Sequence, residues 1–208
     1  MEVPKNYEPA YEKALADFRA TDPQAMAARA GVLYDASGKG RGSLLVPYFG
    51  RICVVAYPAA TVTERDSGGA ASFFTQILLL HYLTTASGTP LKGTWISFRQ
   101  LPGGLMYEAA FRARSLAPLI AAFGSAGELF AQAAISTGGE QARLGDYSFL
   151  FGALPRVPLM CMLWLGDDEL PAEVSILFDG SASDYLPTED LAVLGGTLSG
   201  RLLRAAKP

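Results

Sequence analysis

Histidine occurs once in these 208 residues and cysteine twice, so the side chains that build most zinc, haem and thiol sites are nearly missing. No CxxC, HExxH, GxSxG, P-loop or dinucleotide-binding glycine fingerprint is present. A His/Cys zinc site or a Ser-His-Asp triad would therefore have to rest on His81 alone. Basic residues are too few and too scattered for a nucleic-acid partner: the net charge is −3 and the pI about 5.2. No apolar run approaches the roughly eighteen residues of a membrane-spanning helix. The first residues, MEVPKNYEPAYEKAL, carry no basic segment followed by an apolar one, so a cytoplasmic protein with no membrane partner is expected. Cys53 and Cys161 both fall in predicted strands, far apart in sequence. In a reducing compartment that pattern reads as two small core residues rather than a disulfide.

What is present is ordinary globular material. Half the residues are apolar and 18% are charged, enough for one sizeable core. The expectation is a single α+β domain over 31–208, a mostly antiparallel sheet covered by helices, preceded by a helical segment over 1–30. Tyr7, Tyr11, Ala14, Leu15 and Phe18 recur at helical spacing from Asn6 onward. Asp22-Pro23 starts a second helix that Gly31 stops. The stretch DASGKGRGS reads as a flexible hairpin loop rather than a phosphate cradle, since it lacks the Gly-Lys-Ser/Thr ending and no helix follows. Ser43–Phe49 and Arg51–Tyr57 then form a hairpin, Thr61–Glu64 continues the strand pattern, and Ala70–Thr85 is the most apolar helix. His81 lies on that helix. It is either an axial ligand to haem or a corrinoid, a general base, or a neutral core histidine, and the last is favoured because no second ligand type lies nearby.

The stretch Asp146–Asp190 organises the second half. Tyr147–Leu154, Val157–Leu165 and Val174–Phe178 read as strands bounded by Gly, Pro and Asp, and Val157–Leu165 is apolar enough to be the central, doubly covered one. Nine of the chain's 20 acidic residues fall here against one basic residue, Arg156. Thr188 is expected to cap a last amphipathic helix running to about Ala206, with Glu189 and Asp190 at its positive end. Upstream, Thr94–Arg99 reads as a strand and Leu-Pro-Gly-Gly turns the chain into a helix near Leu105. The candidate ligand site gathers where these strands end: Arg99 with the N–H groups of Gly103 and Gly104 against Asp168, Asp179 and Glu189, walled by Trp95 and Trp164. The plain alternative is three turns whose carboxylates only solvate loops and cap helices.

At FRQLPGG, GDYSFLFGALPRVPL, LWLGDDELPAEVSILFD and DYLPTEDLAVLG the chain resembles an uncharacterised prokaryotic family, domain of unknown function 3786, found mostly in anaerobes. The likeness runs from about Gly31 to the C-terminus. Some members look like fusions to a cysteine-rich iron–sulfur module of a kind also seen in corrinoid-dependent methyl transfer. Here a tyrosine-containing helix stands in place of those cysteines, so no iron–sulfur cluster is expected from this chain. The resemblance implies anaerobic redox, corrinoid or tetrapyrrole metabolism, with a corrinoid or haem as the cofactor to consider, and names no catalytic residue. The leading reading is a non-catalytic protein that binds a small ligand or a metalloprotein partner. The alternatives are an enzyme that uses Asp146, Asp167, Asp168, Asp179, Asp184 and Glu189 to hold Mg²⁺ or to act as acid and base, and a purely structural subunit. Carboxylates converging in one pocket would favour the enzyme; dispersal over separate turns favours binding.

Overall fold

A computed structural model describes residues 7–207. The helix start expected at Asn6 lies outside the described residues. The fold is α+β with antiparallel pairing, as the strand and helix patterns implied, but the strands divide between two sheets rather than forming one. The chain gathers into two compact units. One holds the chain up to Pro90 with Leu154–Arg156 and Asp184–Leu186; the other holds Leu91–Ala153, Val157–Ser183 and the chain from Pro187 onward.

The first unit begins with α1 (Glu8–Ala20) and α2 (Pro23–Ala30). Asp22 caps α2 by accepting from the Ala25 N–H at 2.7 Å, and Gly31 ends it with φ 69°, the left-handed conformation that a residue without Cβ adopts at least cost. A four-stranded meander follows: β1 (Leu33–Gly38), β2 (Arg41–Tyr48), β3 (Arg51–Tyr57) and β4 (Val62–Glu64), in that order. DASGKGRGS is therefore not a loop. It supplies the end of β1 and the start of β2, and the chain reverses at Lys39-Gly40, whose φ values of 53° and 69° are those of a tight two-residue hairpin turn. Residues with poor strand propensity extend here because backbone pairing with β2 carries them, and Gly42 is needed beneath the Tyr34 ring, where a Cβ would sit 2.4 Å from a ring carbon.

The helix α3 (Phe73–Thr85) closes the unit. It starts three residues later than its apolar pattern implied, because Ala70 still bridges to Thr63 and Ser72 takes the N-cap, accepting from the Thr75 N–H at 3.2 Å. Ile77 through Leu80, Tyr82 and Leu83 are buried. Full burial of His81 was expected, yet it is only half-buried. It shares one side of the helix with the exposed Phe74 and Thr85, seven residues before and four after, although Leu78 on that side is fully buried. The Tyr82 hydroxyl donates to the Ala30 carbonyl at 2.6 Å and accepts from the Arg156 N–H at 3.1 Å, which ties α3 to the end of α2.

The second unit has β5 (Trp95–Ser97), α4 (Gly104–Phe111), α5 (Ala117–Phe123), α6 (Gly127–Ser136), β6 (Glu140–Gln141), β7 (Tyr147–Leu154), β8 (Val157–Trp164), β9 (Glu173–Asp179) and α7 (Thr188–Ala205). Its sheet order is β5-β9-β8-β7-β6, so β8 is the central strand, with Leu159 through Leu163 all buried. The strand expected over Thr94–Arg99 is shorter. Gln100 folds back to accept from the Ser97 N–H at 2.8 Å, and the chain coils into a single tight turn at Phe98–Gln100. Between α4 and α5 the helix widens into a π-helical turn at Arg112–Leu116, just before Pro118, whose ring would collide with the carbonyl four residues back in a regular helix. Thr188 does not cap α7. The N-cap is Pro187, and the Thr188 hydroxyl instead donates to the Pro102 carbonyl at 2.6 Å.

Candidate functional site

The residues singled out in the second unit lie in three places. Around the Leu-Pro-Gly-Gly turn, Arg99 forms an exposed ion pair with Glu108 at 3.7 Å. Gly103 takes a left-handed φ of 73° there, and the Gly104 N–H is given to the Leu101 carbonyl at 2.8 Å. A Cβ at Gly104 would stand 2.0 Å from the Phe98 carbonyl oxygen, so that glycine serves a close backbone approach. The Thr188–Pro102 bond puts the first turn of α7, with the exposed Glu189, beside this turn.

Trp164 and Asp168 lie elsewhere, at the end of the sheet where Trp164 pairs with Glu173. Trp164 packs its indole against Gly145, where a Cβ would be 3.3 Å from the ring, and Asp168 is exposed in the turn that follows. In the same turn Asp167 accepts from the N–H groups of Glu169 and Leu170 at 2.9 and 2.7 Å, and these bonds hold its carboxyl below the usual carboxylate range. Asp146 accepts from the Leu165 N–H at 2.8 Å.

Asp179 marks the other end of β9, where it pairs with Trp95. Six residue steps at about 3.3 Å each put it roughly 20 Å along the strand from the Trp164–Glu173 pair. It is 1% exposed and accepts from the N–H groups of Lys92, Gly93 and Ser181 at 3.0, 2.8 and 2.9 Å and from the Ser181 hydroxyl at 2.6 Å. Burial pushes its pKa up, but those four donors outweigh it and the carboxyl titrates below its ordinary value. Asp146, Asp167 and Asp179 thus fasten strand ends and turns while Asp168 and Glu189 are exposed, and no group of three or more His, Cys, Asp or Glu side chains converges as a metal site among the described residues.

A different site lies in the first unit, a cleft of about 430 Å³ lined by α1, the β3–β4 turn and α3. Tyr11, Leu15 and Arg19 recur every four residues along α1 and so form one ridge, which is the first wall. The second wall is Ala59 to Thr63. The Tyr57-Pro58 peptide is cis and Ala60 sits at φ 62°, a conformation uncommon for a residue with a side chain. Two bonds lock this turn to α1: the Tyr57 hydroxyl donates to the Arg19 carbonyl at 3.2 Å, and the Arg19 Nε–H donates to the Pro58 carbonyl at 3.3 Å. The Phe18 and Tyr57 rings meet edge to face beside them at 5.5 Å.

Gln76 on α3 supplies the polar floor. It is 6% exposed, its amide donates to the Ala71 carbonyl at 2.8 Å, and its oxygen accepts from the Tyr11 hydroxyl at 3.4 Å. A buried polar side chain lining a cavity of this size, among Leu, Ala and Val, is the make-up of a small-ligand pocket. None of the cleft residues was a sequence candidate. The available signals were the Tyr11-Leu15-Arg19 spacing and a glutamine set into an otherwise apolar helix. A second hollow, about 330 Å³ between Arg51, Ile52, Glu64, Asp66 and Ser67, holds the Arg51–Glu64 ion pair at 3.5 Å, and the Ser67 hydroxyl donates to Glu64 at 3.3 Å.

Among the described lining residues Tyr11 alone is of a type that ligates haem iron, and its hydroxyl is given to Gln76. His81 is not among the lining residues. Cys53 and Cys161 are buried free thiols whose pKa values are pushed up, chiefly by burial, to about 11 and about 12. Among the described residues no helix is long and apolar enough to cross a membrane. No curated protein and no solved structure matches the chain. Residues 22–201 do match a family, so the α1 ridge of the cleft precedes the matched span while its other walls fall within it, and the chain belongs to the family described as Domain of unknown function (DUF3786).

Proposed function

We propose that this protein is a non-catalytic binding domain that takes up a small molecule in the cleft between α1, the β3–β4 turn and α3, in service of the anaerobic redox, corrinoid or tetrapyrrole metabolism that the family resemblance implies. The observation that carries the reading is the cleft itself, about 430 Å³ with apolar walls and the buried Gln76 amide at its floor. The carboxylates support it from the other side. Asp146 and Asp167 accept hydrogen bonds from backbone at one end of the sheet and Asp179 at the other, so these acids fasten turns at two distant places instead of gathering around one metal.

The test is to incubate the protein with a soluble metabolite extract from an anaerobic culture, wash it, and identify what is retained by mass spectrometry. A cleft-blocked variant, Ala70→Trp, runs in parallel, because Ala70 is an exposed lining residue where a large ring can be added without disturbing the core. A small molecule retained by the natural protein and lost from the variant is the expected result. Identical retention by both sinks the proposal. The second reading, a metalloprotein partner, is favoured by the run Leu105, Met106 and Tyr107, which are 61%, 83% and 47% exposed at the start of α4. Protein isolated anaerobically with a co-purifying metalloprotein, seen as a Soret or corrin band, would favour it.

A further inference from the structure

The cleft has a polarity that its size alone does not convey. Among the described residues its lining contains one charged side chain, Arg19, and no carboxylate, in a chain with 20 acidic against 17 basic residues. The Arg19 Nε–H is spent on the Pro58 carbonyl. No carboxylate lies within ion-pair distance of the guanidinium among the described residues. Asp17, two residues before Arg19, pairs with Lys13 at 2.6 Å. Arg19 is exposed at the rim, whereas Gln76 and the half-buried Tyr11 form a neutral hydrogen-bonding floor. Along the α1 ridge the two ends are eight residues apart, about 12 Å at 1.5 Å per residue. Leu15 stands between them, faced by the buried Ala60 and Val62.

A cationic end, an apolar middle and a neutral donor–acceptor end make an address for one kind of molecule. We infer that the cleft binds a small organic monocarboxylate with an apolar body, its carboxylate at the Arg19 guanidinium and its far end toward Tyr11 and Gln76. The guanidinium fork matches a carboxylate in a way that the compact ammonium of lysine does not. The inference rests on the small-ligand reading above and narrows it to a ligand class. Arg19 is the specificity residue, and its guanidinium is held in place by the same Pro58 carbonyl that fastens the turn to α1.

The experiment uses the intact protein and three probes, octanoate, its neutral counterpart octanamide, and ω-hydroxyoctanoate. Binding is followed by calorimetry and by the methyl resonances of Leu15, Ala60 and Val62. Octanoate is expected to bind at least about tenfold more tightly than octanamide, a ratio equivalent to about 1.4 kcal/mol. Arg19→Gln is expected to erase that ratio by weakening octanoate far more than octanamide, and ω-hydroxyoctanoate is expected to lose its advantage over octanoate in Gln76→Leu. Equal binding of acid and amide to the natural protein, with the cleft methyls shifting, overturns the carboxylate inference and leaves the small-ligand reading standing. Survival of the preference in Arg19→Gln overturns it as well. Probes that bind without moving any cleft methyl, or that do not bind at all, overturn both.

Discussion

Asp179 and Gln76 are both buried polar side chains, and the contrast between them separates the two regions of this protein. Asp179 is 1% exposed, and both carboxylate oxygens are engaged by donors from Lys92, Gly93 and Ser181. It is a clamp that fastens the segment before β5 to the end of β9, and its charge is consumed in doing so. Gln76 is 6% exposed, but it lines an open volume of about 430 Å³. A buried polar group that fastens backbone reports on architecture, while one that faces a cavity reports on what the cavity receives. Acidity concentrated at strand ends pointed to the second unit, and the cavity lies in the first.

The clamp is where the largest effect is expected. Asp179→Ala strands the buried Ser181 N–H and the part-buried N–H groups of Lys92 and Gly93, at about 1–3 kcal/mol each before water relieves part of it, so a loss of about 3–6 kcal/mol is expected in urea unfolding. The pH dependence has a definite sign. The folded-state pKa of Asp179 lies below its unfolded value of about 3.9, so its contribution is fully present above that value and is lost as the pH falls through the lower, folded one. The natural protein should lose stability below about pH 4 along a slope that flattens in Asp179→Ala. If the alanine variant unfolds with an unchanged midpoint, Asp179 is no clamp, and its carboxylate becomes a site candidate again.

Slightly smaller is the effect of Leu163→Ala on β8. The side chain is 0% exposed in the central strand of its sheet, and a large-to-small change there costs about 2–5 kcal/mol. That strand was legible because Val157–Leu165 is apolar at nearly every position and is bounded by Pro-Arg and Gly-Asp-Asp, so its composition reflects burial on both faces. The helix α2 was legible through Asp22-Pro23 and Gly31, where local chemistry decides the boundary.

Other parts were not legible, for physical reasons. Ala36 to Ser43 extend because of cross-strand pairing, which a reading of propensity along one segment does not include. Thr188 was read as a cap from its position before the helix, but its hydroxyl found the Pro102 carbonyl, a partner 86 residues away. The cleft escaped for a similar reason. Its lining is mostly Ala, Thr, Val and Leu, unreactive types that become a site only when α1, the β3–β4 turn and α3 converge. The acids drew attention by their type, and Asp146, Asp167 and Asp179 turned out to fasten turns and strand ends.

Gln76→Leu sharpens the comparison from the cleft side. It removes the bonds to Ala71 and Tyr11 but adds an apolar group to a largely apolar floor. The change in stability is expected to stay within about 1–3 kcal/mol, the cost of leaving the buried Ala71 carbonyl without its donor, while retention of the cleft's ligand falls at least tenfold. Unfolding and ligand retention measured on the same preparation check it. A loss of stability as large as that of Asp179→Ala, with ligand retention intact, would make the two buried polar groups alike and dissolve the contrast.

The smallest effect is expected at Arg99, the residue whose guanidinium first suggested an anion site in the second unit. Its partner is Glu108 at 3.7 Å, and the two side chains are 63% and 40% exposed. An ion pair that open to water is screened by salt and offset by the entropy of holding two long side chains, so it contributes about 0–1 kcal/mol. Arg99→Ala should therefore move the unfolding midpoint by less than about 0.5 kcal/mol equivalent, and less still at high ionic strength. It should also leave octanoate binding unchanged. The paired variant Arg19→Gln should also be mild in stability, losing only the exposed bond to the Pro58 carbonyl, but it should abolish the preference for the carboxylate. The two arginines are then alike in what they do for folding and opposite in what they do for binding. If the loss of carboxylate preference follows Arg99→Ala instead, the binding region has been assigned to the wrong half of the molecule.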